Sequence, residues 1–69
     1  MTQCEQLMEA FDRGERLTVG EAMMRYGVYA LSQRCGEIRG LGYPVDSRII
    51  EVASGKRVKQ YFKGGIAVG

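Results

Sequence analysis

The apolar residues of this chain change their spacing once, at Pro44, and that change divides the fold into two kinds of structure. Ahead of it they recur at three and four residues: Cys4, Leu7, Met8 and Phe11 in one stretch, then Leu31, Cys35, Ile38 and Leu41 in another. Such spacing lines one side of an α-helix. From Val45 onward, β-branched residues gather in 45–52, and 57–62 reads as the returning strand after the turn Ala53-Ser54-Gly55-Lys56. That pattern predicts two strands joined by a glycine turn. Helices first and a hairpin last give an α+β domain, and 69 residues leave room for one unit with a small core.

Local start and stop signals place the helices. Thr2 stands three residues ahead of Glu5, and Thr18 three ahead of Glu21. In each pair the two side chains can satisfy each other's free backbone donors, which marks a helix start. Leu17, just before the second cap, can staple against Ala22. Gly14, Gly27 and Gly42 fit the ends, and Pro44 prevents the last helix from resuming. The expected helices cover residues 2–13, 18–26 and 29–41. The third carries its apolar stripe on one side, Arg34 on its flank, and Tyr29, Ser32, Gln33, Gly36 and Gly40 opposite. Ile49 and Ile50 fall on opposite faces of their strand, so the pattern leaves the inward face of the hairpin open. Residues 1–63 read as the domain and 64–69 as a flexible tail.

A short helix, a glycine turn and a longer helix form a helix-turn-helix, whose second helix is shaped to enter a DNA major groove. The hairpin that follows makes it winged. Charge is divided in the same sense. Residues 1–24 hold five acids and two bases, net −3, while residues 25–69 hold eight bases and three acids, net +5. A split of this kind turns one side of a domain toward a polyanion. Tyr29, Ser32 and Gln33 are the residues expected to reach base edges, Gln33 by paired bonds to an adenine. Arg25 and Arg39 suit phosphates, and Lys56, Arg57 and Lys59 on the hairpin suit the backbone or the adjacent minor groove. Arg34 divides evenly between a DNA contact and an ion pair with an acid of the first two helices. Gly36 and Gly40 each cost about 1 kcal/mol relative to alanine inside a helix. Close approach of a partner to the helix backbone and tolerated weakness are both open explanations.

Other classes of function find little support. The chain has no histidine, no paired carboxylates and no nucleophile motif, so no enzyme, metal site or cofactor is expected. Gly64-Gly65 is followed by neither helix nor lysine and is no phosphate loop. Cys4 and Cys35 are expected to be small buried apolar side chains. No apolar run is long enough to span a membrane, and the first twenty residues lack a secretion signal, so a cytoplasmic protein is expected.

From Leu17 to Tyr61 the chain resembles a family of small helix-turn-helix domains of phage and prophage proteins. The shared residues are Gly27-Val28-Tyr29, then Leu31, Arg34, Ile38, Arg39 and Gly42, then Tyr43-Pro44-Val45, and finally Gly55-Lys56, Val58 and Tyr61. The position before Leu31 is often basic in that family and is Ala30 here, while Gly36 and Gly40 replace larger polar residues. The resemblance implies the winged fold and a phage or prophage setting. With double-stranded DNA as the partner, the expected role is a small regulator or an excisionase-like factor, bound as a homodimer or with cooperative neighbours. The alternative is a phage-encoded inhibitor that uses the same fold to bind a host protein complex, as anti-CRISPR proteins do. The bare Gly36/Gly40 face and the acidic first helix favour that alternative.

Overall fold

The computed structural model describes residues 2–65. Their order is α1 (Gln3–Asp12), β1 (Leu17–Thr18), α2 (Val19–Tyr26), α3 (Leu31–Gly40), β2 (Val45–Glu51) and β3 (Arg57–Lys63). Both capping boxes form: Thr2 and Glu5 start α1, Thr18 and Glu21 start α2, each with reciprocal bonds of 2.9–3.2 Å. Gly27 ends α2 at φ +68°, where its amide bonds back into the helix and where an L side chain would be strained.

The sheet is larger than the expected hairpin. β3 runs antiparallel between β1 and β2, with Leu17 opposite Tyr61 on one side and Ser47 opposite Tyr61 on the other. β1 escapes a reading by period because it has two residues and overlaps the cap of α2. Its pairing also joins positions more than forty residues apart, which no local signal encodes.

α1 and α3 pack together on the inner face of this sheet, and α2 closes the side. Leu7, Phe11, Leu17, Val28, Leu31, Cys35 and Ile38 are fully buried, and Val45 and Tyr61 bring the sheet into the same core. The register settles the face left open by Ile49 and Ile50. Val45, Ser47 and Ile49 share the inner face with Tyr61 and Lys59, and Ile50 turns outward.

Three expectations about the helices and their core need correction. α3 starts at Leu31 rather than at Tyr29, because Ala30 takes φ −110°, ψ 60° and has no side chain to cap the helix. Leu41 is 71% exposed and leaves the core stripe. At 3.6 residues per turn it lies about 80° around the axis from Leu31, whereas Ile38 lies within about 20°. Cys4 is half-buried rather than buried, with its thiol 3.4 Å from Glu37 Oε1. At the other end of the chain, Gly64 is buried and donates to the Pro44 carbonyl at 3.1 Å, so backbone pairing runs past residue 63. Residues 66–69 of the expected tail lie outside the described residues.

Candidate nucleic-acid interface

α3 presents its polar side between two anchored flanks. On one flank Arg34 Nη1 donates to both oxygens of Glu37 at 2.7 and 2.8 Å, and its Nε donates to Gln3 of α1 at 3.2 Å. On the other, Arg39 Nε donates to the Val45 carbonyl of β2 at 2.9 Å. Between these flanks Ser32, Gln33, Gly36 and Gly40 are exposed, and Tyr29 is 77% exposed just ahead of the helix. None of these outward residues is needed by the core.

The two glycines now have a definite environment. A Cβ built on Gly36 or on Gly40 meets nothing within 4 Å, so no close packing inside the domain requires either. Gly36→Ala should therefore raise stability by about 1 kcal/mol and Gly40→Ala, at the last position of α3, by less, each seen as a higher urea midpoint. A fall in that midpoint would show a constraint on the helix beyond propensity.

The hairpin carries Lys56 in its turn and Arg57 and Lys59 on β3, all exposed and without an ion pair among the described residues. Arg57 and Lys59 occupy the sheet face that also bears the helices, opposite Glu51 and Ile49. They extend that face beyond the core. Arg25 is differently placed, with its guanidinium 3.5 Å from Glu15 and 3.6 Å from Glu21. Of the arginines expected to touch DNA, Arg25 and Arg34 are thus ion-paired and Arg39 is tied to backbone. Sequence reading missed two further exposed cations, Arg16 and Arg48, which approach the Phe62 ring at 5.7 and 6.0 Å from its centroid. Their signal was a basic residue on each side of the hairpin base, visible only once β1 is known to pair with β3.

The acids of the first half are mostly engaged in holding elements together. Asp12 accepts from Tyr43 at 2.7 Å and from Lys63 at 2.9 Å, which ties α1 to the α3–β2 loop and to β3. Glu15 accepts from Tyr26 at 2.6 Å and pairs with Arg13 at 2.9 Å. The Tyr43 hydroxyl holds Asp12 below the ordinary carboxylate range, with Lys63 adding to the effect. Tyr26 does the same for Glu15, followed by Arg13, and Arg34 does so for Glu37, followed by Cys4. A depressed folded pKa means the folded state binds fewer protons, so this stabilisation is present above the unfolded values and fades as pH falls through the folded ones. The urea midpoint should be level near neutrality and drop below pH about 4. A midpoint that rises on acidification would contradict these contacts. Burial pushes the Cys35 thiol up to about 11, which keeps it protonated and unreactive at neutral pH.

Among the described residues no group of acids, cysteines and histidines is placed to hold a metal ion, and no helix is long and apolar enough to cross a membrane. No curated protein and no solved structure matches the chain. A family of winged helix-turn-helix domains matches residues 2–63, which takes in all three helices and all three strands. The chain belongs to that winged helix-turn-helix family.

Proposed function

We propose that this domain binds double-stranded DNA, with the outer side of α3 in the major groove and the β2–β3 hairpin against the flanking backbone. One observation carries the reading: Ser32 and Gln33 stand exposed on α3 while Lys56, Arg57 and Lys59 stand exposed and form no ion pair within 4.0 Å among the described residues, Arg57 facing Glu51 across the ladder. Membership in a winged helix-turn-helix family points the same way. Gln33 and Ser32 read bases, Tyr29 lies at the groove edge, and the hairpin cations position the domain on phosphates. Arg39 keeps guanidinium nitrogens beyond the one bound to Val45 and serves as a phosphate contact beside α3. Arg25 and Arg34 reach phosphate only by exchanging their carboxylate partners.

A single module buries about 600–1,000 Å² on DNA, so specific binding calls for a dimer or for adjacent copies on a repeated site. The resemblance to phage and prophage domains makes a small transcriptional regulator or an excisionase-like factor the role of choice. Fluorescence anisotropy with a labelled duplex at low and moderate salt tests the proposal. Binding that weakens steeply with salt supports it. No binding to duplexes of any sequence at low salt ends it.

A second reading rests on α2 and the turn after it, where Met24 is 85% exposed, Tyr29 77% and Val19 46%. Exposed apolar side chains at these positions are available to a protein partner. A host protein retained from a nuclease-treated lysate, together with no duplex binding, would favour that reading.

A further inference from the structure

The outer face of the sheet holds cations that the proposed interface does not use. Strand alternation places Arg48, Ile50, Gln60 and Phe62 on this face, away from the helices. Arg16, in the loop before β1, and Arg48, on β2, both lie over the half-buried Phe62 ring. Neither makes an ion pair among the described residues, although Arg48 Nε donates to Gln60 at 3.1 Å. Asp46, the acid on this face, turns toward Gly64, where an added Cβ would stand 2.7 Å from its Oδ2. Among the described residues no carboxylate comes within 4.0 Å of either guanidinium group, although Asp46 stands across the ladder from Phe62.

We propose that Arg16 and Arg48 hold the phosphate backbone of a second DNA segment, so that one domain joins two segments. The inference rests on the DNA-binding reading above. A guanidinium held against a ring is partly ordered before binding and keeps N–H groups for a phosphate fork, so less freedom is lost per bond formed. Position separates these residues from the first interface. The pair Arg48–Gln60 lies three pairs, or about 10 Å, behind the last ladder pair, Glu51–Arg57, and the turn of the hairpin lies beyond that. Arg57 and Lys59 face the opposite side of the sheet. A straight duplex seated on α3 and Lys59 leaves Arg16 and Arg48 directed away from it.

The test is a capture assay. One duplex is fixed to beads, the protein is added, and retention of a second, labelled duplex is measured beside single-duplex affinity in solution. Arg16 and Arg48 are exposed, and circular dichroism checks that Arg16→Gln/Arg48→Gln remains folded. The wild-type protein should capture the second duplex. The double variant should lose capture by about tenfold or more while its single-duplex affinity changes by less than about threefold. Binding of the bead duplex without capture by the wild-type protein overturns the inference and leaves the first interface standing. Equal capture by the double variant, or an equal fall in single-duplex affinity, also overturns it. Absence of any duplex binding removes both proposals together.

Discussion

Phe11→Ala should remove a large share of the domain's stability and lower its thermal midpoint by roughly 12–40 °C. Phe11 is 1% exposed at the centre of the single core, where α1 meets α3 and the sheet. Removing a buried phenyl ring costs about 3–5 kcal/mol through lost transfer energy and the cavity left behind. A domain of this length is stable by roughly 3–10 kcal/mol at 0.05–0.15 kcal/mol per residue, so one truncation removes much of the total. The core has little means to collapse onto the gap, because its other large members are held in place by six separate segments of the chain. A large fall in the midpoint of the thermal transition in circular dichroism is the expected readout. A midpoint within a few degrees of the wild-type value would show that the core does not depend on α1 as described.

The largest functional effect should come from Lys56→Ala/Arg57→Ala/Lys59→Ala. These side chains are exposed and lie outside every core contact, so folding should survive their loss. If each meets one phosphate, the slope of log affinity against log salt should shrink by up to about 2.7, at about 0.9 for each contact. Affinity at low salt should fall by about tenfold or more for every sequence alike. Gln33→Ala should differ in kind, with a change in preference among sequences and little change in slope. Equal slopes for the triple variant and the wild-type protein would place the phosphate contacts elsewhere.

Features written in short stretches of chain are legible in the order of residues alone. The caps Thr2/Glu5 and Thr18/Glu21, the left-handed glycines at 27, 42 and 55, and the change of period at Pro44 each depend on neighbours within a few residues. They fix three helices and a hairpin almost to the residue. What escaped depends on distant partners. β1 exists only because β3 comes back to Leu17. Leu41, by contrast, leaves the core because the helical path carries it about 80° away from Leu31. The same division holds for the candidate interface. Exposure of Ser32 and Gln33 follows from helical geometry, whereas the capture of Arg34 by Gln3 and Glu37, of Arg25 by Glu15 and of Arg16 by Phe62 follows from packing. For Arg34, the ion pair is made with an acid on its own helix, and α1 contributes an amide oxygen rather than a carboxylate.

Amide chemical shifts of the isotope-labelled protein, followed as duplex DNA is added, probe the central claim most directly. Groove entry by α3 with hairpin support should move Ser32, Gln33 and residues 56–59 first and farthest. Shifts concentrated at Gln3, Gln6 and Glu9 of α1, with those positions still, would contradict it.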